Sequence, residues 1–383
     1  MKKDVKHSVS VFFIFALSIA IICIMPGYVQ ARVSGECVNC HTMHNSQGGD
    51  DVDGDGPYSS LLTTDCVGCH SSAVFTTYYD LGGCNVPVVL FTGGEPATYL
   101  AGGNFYWVKE GLGGDDTKGH NVFLGEDDDN LSEAPGGFPT GCVDSCHVNL
   151  SQPFPDPGFS YGDINGKYGC QGCHVNPRHH ANDHDNGVSG LVDGGDMGWY
   201  RFLSAHQPDD FGVKGFEDGD WEAGHPNHLP GTSAHNEYRG DPASHYGIHA
   251  SDRGDISGFC TGCHAYYSSA YAFDDIQGQK NSHGNWIRHP SDSVIPDDGE
   301  YADVGGVSHL YDPLSPVGKP SIDSTPDTTV TPGADMVMCI SCHRPHGSPY
   351  ADMLRWDYTE QVAGGGGLTD DQGCFYCHTL KNE

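Results

Sequence analysis

Six times this chain writes two cysteines, two intervening residues and a closing histidine: Cys37 to His41, Cys66 to His70, Cys170 to His174, Cys260 to His264, Cys339 to His343 and Cys374 to His378. A seventh copy, Cys142-Val-Asp-Ser-Cys146-His147, carries one more residue between its thiols. The chain's own cysteine and histidine frequencies would produce far fewer than one such string by chance. Each copy reads as an attachment site for haem c, in which both thiols add across the porphyrin vinyl groups and the adjacent imidazole reaches the iron. Two intervening residues set the vinyl spacing, and a looser turn absorbs a third. Zinc also favours paired cysteines, but a structural zinc site matches one knuckle with a second or with spaced histidines. Here the histidine follows the second cysteine directly, which is badly placed to join both thiolates around one tetrahedral ion. Seven covalent haems are expected, held by Cys37, Cys40, Cys66, Cys69, Cys142, Cys146 and Cys170, then by Cys173, Cys260, Cys263, Cys339, Cys342, Cys374 and Cys377. The proximal iron ligands are His41, His70, His147, His174, His264, His343 and His378.

The N-terminus agrees with that chemistry. Lys2, Lys3 and Lys6 precede an apolar run from Val9 to Met25, followed by Pro26-Gly27 and small residues up to Ala31. This is the pattern of a secretory signal peptide over 1–31, too short for a comfortable membrane span. Haem c is attached after export, so a periplasmic or extracellular location is expected, with no span left after cleavage. Of 16 cysteines, fourteen go to haem and Cys23 leaves with the signal, so Cys84 remains as a lone small thiol. The formal charge of −33 disfavours nucleic acid and anionic lipid and admits cationic partners, metal cations and mineral surfaces. Acidity also serves plain solubility.

With 54 Gly and 23 Pro the chain is turn-rich, and no segment shows long helical periodicity. Too few residues accompany each haem for an ordinary core, so the porphyrins must supply the buried apolar mass. The expected fold is a multihaem cytochrome c, mostly coil with short α-helices, one small β-hairpin and a core of stacked haems. Cys, Cys and His at i, i+3 and i+4 share one helical face, which puts short helices at the motifs. The hairpin candidates are Val86–Phe91 and Tyr99–Val108 around Gly93-Gly94.

The two ends of the chain repeat one module. Near the start, Cys37-Val-Asn-Cys40-His41-Thr-Met-His44-Asn-Ser is followed by Pro57-Tyr58-Ser-Ser-Leu-Leu62 and the motif at Cys66. Near the end, Cys339-Ile-Ser-Cys342-His343-Arg-Pro-His346-Gly-Ser is followed by Pro349-Tyr350-Ala-Asp-Met-Leu354 and the motif at Cys374. The regions are therefore a signal (1–31), an N-terminal four-haem region (32–180), a His-rich, haem-free segment (181–259) and a C-terminal three-haem region (260–383).

These residues resemble the doubled-motif multihaem cytochromes of metal-reducing bacteria, and His41-Thr-Met-His44-Asn-Ser46 looks like the start of their filament-forming outer-surface relatives. Weaker echoes lie at Leu100-Ala-Gly-Gly-Asn-Phe-Tyr-Trp107, Lys118-Gly-His-Asn-Val122 and Trp286-Ile-Arg-His-Pro290. The resemblance implies electron conduction through close-packed haems, each ligated by two histidines. One departure stands out: no histidine lies between Arg32 and Cys37, so none is available there to serve a neighbouring subunit.

Histidine is abundant enough to supply every sixth ligand. The methionines nearest a motif, Met336 and Met338, look like haem packing rather than ligands. His44 and His346 rank first as distal ligands, because three residues past a proximal histidine the imidazole points away from its own iron. His120 and His289 follow. His180 is chosen over its equal neighbour His179, and His206 and His235 complete the set. His225, His228, His245, His249, His283 and His309 are surplus candidates. Asp51-Val-Asp53-Gly-Asp55-Gly56 resembles half a calcium loop, but the twelfth position is Leu62, so an acidic surface loop is the better reading.

The expected function is an exported seven-haem, low-potential electron carrier passing electrons to other cytochromes or to an extracellular acceptor such as a metal oxide. It is not expected to be an enzyme. The rivals are a multihaem reductase of a nitrogen or sulfur oxyanion, which needs an open iron, and a subunit whose role is polymerisation into a cytochrome filament. No motif replaces its histidine with lysine, which argues against the reductase.

Overall fold

A computed structural model of the chain describes residues 33, 35–54, 56–123, 169–181, 184–185, 188–204, 212–224, 229–241, 254–261, 264, 289, 291, 293–364 and 372–379. The chain divides into two compact units, 1–30 and 31–383, and every described residue belongs to the second. The variant motif at Cys142, Cys146 and His147, together with Cys263, His206 and most of the surplus histidines, lies outside the described residues.

Short helices form at the haem motifs, as the i, i+3, i+4 spacing predicts. We number the α-helices α1 (Cys66–His70), α2 (Cys170–Cys173), α3 (Ile256–Cys260) and α4 (Cys339–Cys342). The motifs at Cys37 and Cys374 wind as 3-10 turns, Cys37–Asn39 and Gly373–Tyr376. Such stubs are too short to stand alone and depend on caps and packing. Asp65 caps α1 by accepting from the Gly68 N–H at 2.7 Å, and Asp255 caps α3 through Gly258 N–H. Gly68 is required where it stands, since a Cβ there would lie 1.8 Å from Thr64 Oγ1.

Around these stubs runs coil with small sheets. The largest has six two- or three-residue strands in the order Ser293–Val294, Met336–Val337, Gly318–Lys319, Glu237–Arg239, Gly215–Phe216 and Leu191–Val192. Its pairings are antiparallel except between Glu237–Arg239 and Gly318–Lys319. Half of its strands come from the haem-free stretch, so that segment is the scaffold joining the middle of the chain to its C-terminal module. The small hairpin forms upstream of its expected place, pairing Tyr78–Asp80 with Asn85–Pro87. Its turn holds Gly82 and Gly83 at φ 64° and 96°, the conformation a tight hairpin turn demands. Leu90–Phe91 instead pairs in parallel with Ser71–Ser72, and Phe105–Trp107 is a 3-10 turn.

Apolar burial is divided among three clusters of five or six residues. One joins Tyr200, Val213, Tyr238, Ile256, Met338 and Ile340; a second centres on Tyr311 and Tyr376; the third on Leu90, Phe105 and Val108. Met338 is thus packing, as its position beside the motif suggested, and Met336 is fully buried. Among the described residues no helix is long and apolar enough to cross a membrane.

Two of the three weaker sequence echoes, at Leu100–Trp107 and Lys118–Val122, converge on the C-terminal module. His346 N–H donates to Gly102 O, Asn104 N–H to Gly347 O, and Ser348 N–H to Lys118 O. Gly103, at φ 92°, lies so close to Gly347 that a Cβ would sit 2.0 Å from its carbonyl oxygen.

Candidate haem-binding site

Five of the six described motif histidines face a second histidine. His41 faces His180 with ring centroids 6.0 Å apart, and His70 faces His179 at 6.2 Å. His264 faces His120, His174 faces His346, and His378 faces His289, each at 6.1 Å. Every pair joins one motif histidine to one histidine from elsewhere. Interplanar angles range from 20° to 85°, yet the separation stays nearly constant. Other aromatic pairs here come as close as 4.0 Å. Imidazole nitrogens bind metals at about 2 Å, so each pair leaves room for one ion that both histidines would hold. The donor set and spacing therefore fit a six-coordinate haem iron. Among the described residues no three or more metal-binding side chains cluster, as a zinc knuckle would require.

Local bonds fix these rings. Nδ1 of His70, His120, His174 and His343 lies 2.7–2.9 Å from the carbonyl oxygens of Pro87, Pro345, Arg201 and Asp352 respectively. A carbonyl can only accept, so Nδ1 carries the proton and Nε2 keeps its lone pair. Burial pushes all four imidazoles below the usual histidine pKa. His346 is held down at about 3 by burial and then by neighbouring His174, His120 and His70. The neutral, ligating form is thus favoured.

The structure brings four of the expected distal histidines, His120, His180, His289 and His346, against motif partners. His179, weighed only as an alternative to His180, has a partner of its own. His235 departs from expectation. Both of its ring nitrogens face backbone carbonyls, Asn236 O at 2.9 Å and Asp327 O at 3.0 Å, and its ring stacks on Tyr311 at 4.0 Å. Neither nitrogen is left for a metal. His44 also departs: it is exposed, with Nδ1 2.8 Å from Tyr58 O, and faces no described imidazole. His343 likewise has no imidazole opposite it among the described residues, nor has His309, whose Nδ1 meets Val304 O at 2.9 Å.

Contacts between motifs define their adjacency. Cys69 is pushed up by burial and then by Cys40. Cys66 is hydrogen-bonded with Cys170, which lowers the first thiol and raises the second. Cys339 is lowered chiefly by a hydrogen bond with Cys260. Cys342 and Cys377 are both pushed up to about 12, mainly by burial and next by neighbouring motif thiols. In the haem-loaded chain these sulfurs are thioethers, and the contacts count as proximity alone. The Asp51 loop closes on itself: Asn45 Nδ2 donates to Asp51 and Asp53 at 2.6 and 2.7 Å, and Tyr58 donates to Asp53 at 2.9 Å.

Repeated thiol-pair turns and paired imidazoles are the features of a multihaem c-type cytochrome, and residues 331–383 match the family model described as the doubled CXXCH motif. The chain is similar to the C-type cytochrome OmcS of Geobacter sulfurreducens, at 27% identity over 411 aligned residues covering 93% of this chain and 86% of the relative. Among solved structures it aligns with the outer membrane cytochrome S filament of that organism at 21% identity, with a TM-score of 0.40 and coverage of 92% and 93%. Alignment with the OmcS nanowires gives 20% identity and a TM-score of 0.41, covering 92% of each chain.

Proposed function

We propose that this protein is an exported seven-haem electron conduit whose irons are held between two histidines, and that it delivers electrons to partner cytochromes or to an extracellular acceptor such as a metal oxide. The observation that carries the reading is the set of five imidazole pairs at 6.0–6.2 Å, each uniting a motif histidine with a distant one. His179, His180, His120, His289 and His346 would be the distal ligands, with His235 a structural residue. The proximities support a linear order of the six described sites: His41, His70, His174, His264, His343, His378. His120 and His346, which lie within electrostatic reach of each other, bridge the middle of that order. When bound, haem supplies one-electron redox chemistry at low potential, set by two imidazoles and little solvent. The chain's part is to hold the protonated Nδ1 of His70, His120, His174 and His343 on backbone carbonyls, which leaves each Nε2 free to bind. Electron paramagnetic resonance of the oxidised holoprotein tests this. Low-spin ferric signals should dominate at neutral pH; a large high-spin signal altered by nitrite would favour the reductase.

Self-association is the second reading, favoured by His44. It occupies the same place in its module as His346, and its Nδ1 is pinned as those of paired histidines are, yet it is exposed. Among the described residues His343 has the matching lack. In this reading His44 of one copy completes the iron held by His343 of the next, and the chain polymerises. His44→Ala should then abolish filaments in electron micrographs while leaving the haem count by mass unchanged. Filaments that persist in that variant would sink it.

A further inference from the structure

The surroundings of two adjacent sites differ in the sign of their charge. Beside His343 sit two buried guanidiniums. Arg344, 0% exposed, directs Nη1 to Ala101 O at 2.8 Å and lies over the Tyr99 ring at 5.1 Å. Arg355, 6% exposed, donates from Nε to Ile340 O at 2.6 Å and from Nη1 to Pro313 O at 3.2 Å. Ile340 lies between the two thiols of that motif, and Arg355 N–H also donates to Cys342 O at 2.9 Å. Arg355 is thus held directly against the attachment helix. The acids within reach are Glu222, buried and within electrostatic reach of Arg344, Asp312, buried and within reach of Arg355, and Asp352, whose backbone carbonyl holds His343. Asp352 is exposed and its charge is screened by water, whereas charges in the interior act at low dielectric.

Beside His378 the sign reverses. Its Nδ1 lies 3.5 Å from Glu300 Oε1, where the other pinned motif histidines meet neutral carbonyls. Thr379 Oγ1 donates to Glu300 O at 2.7 Å, which ties the Glu300 backbone to the motif. A carboxylate on the distant nitrogen makes an axial imidazole a stronger donor and favours the ferric iron. The two sites are neighbours, because Cys342 and Cys377 lie within electrostatic reach of each other.

We infer that these two haems are biased in opposite directions, so that an electron runs downhill from the haem of His378 to the haem of His343. The inference rests on the haem-ligation reading above. In the step, the iron held by His378 goes from ferrous to ferric and the iron held by His343 from ferric to ferrous; no proton or bond changes. Arg344 and Arg355 hold the receiving site reducible, and Glu300 is a positioning residue that keeps the donating site reducing. The chain is thereby a directional wire at this end.

The test is spectroelectrochemical titration of the full-length holoprotein, wild type and variants in the same assembly state. Arg355→Gln should lower the midpoint of one haem and Arg355→Lys should restore most of it. Glu300→Gln should raise the midpoint of one haem. Each should alter that haem's one-electron equilibrium about tenfold, which is about 59 mV. If Arg355→Gln does not take up its full haem complement by mass, Glu300→Gln decides alone. Unmoved or oppositely moved midpoints, with low-spin signals intact in the wild type, would overturn this inference only. Loss of those signals in the wild type would overturn the ligation reading beneath it.

Discussion

His179 and His180 are consecutive in the chain, yet they face different haem motifs: His179 lies 6.2 Å from His70 and His180 lies 6.0 Å from His41. A dipeptide whose side chains diverge in this way holds two sites at a fixed, short separation. Single replacements should therefore act on different haems. His179→Ala and His180→Ala are each expected to convert one low-spin iron to high spin, with different signals lost, and the double variant to convert two. Paramagnetic resonance of the three proteins checks this, and identical losses in both single variants would refute it.

His346→Met should keep its iron six-coordinate while exchanging imidazole for thioether. Methionine ligation raises the potential. One haem should then titrate well above the remaining set, visible as a separate step in a potentiometric curve. A curve like that of the wild type would remove His346 from the ligands.

Gly103→Ala should damage the seam between the Leu100–Trp107 segment and the C-terminal module. The new methyl would sit 2.0 Å from Gly347 O, and the backbone already holds φ 92°. A cost of about 2–4 kcal/mol follows from the clash and the strained backbone. Denaturant titration measures it, and the low-spin signal of the His174 and His346 site should weaken in parallel.

Glu237 gives the stability a pH dependence. Burial raises its carboxyl from 4.5 to about 7. The folded chain therefore binds a proton there that the unfolded chain has released between those values, so stability falls as pH rises from about 4.5 to about 7. Glu237→Gln should flatten that decline by roughly 1–3 kcal/mol. Unfolding midpoints at pH 5 and pH 7.5 for both proteins decide it.

Local features were readable in the residues, and the long-range ones were not. Cysteine spacing specified the turns at Cys66 and Cys170, since the pattern and the helical face occupy the same few residues. The sheet register was hidden, because strands of two residues leave no alternation to detect. Which histidine completes which pair depends on contacts between segments remote in sequence, as with His120 and His264. His235 misled because polar surroundings are invisible in sequence: two carbonyls and Tyr311 engage the whole ring. His179 was missed because adjacency suggested a choice between two residues, where the chain uses both. The expected hairpin moved to the turn at Gly82-Gly83, since Gly93 packs so tightly on Ala73 O that the backbone there serves a different contact.

The pairing of His41 with His180 and His70 with His179 has a consequence for biogenesis. In the exported chain proposed above, the attachment cysteines at Cys37 and Cys66 would emerge long before the dipeptide that faces their histidines. With haem in place, the earliest groups to be tethered would wait half-clasped until position 180 has been translocated. Maturation then proceeds from covalent capture to axial closure, and truncation upstream of that dipeptide should yield a coloured but high-spin fragment.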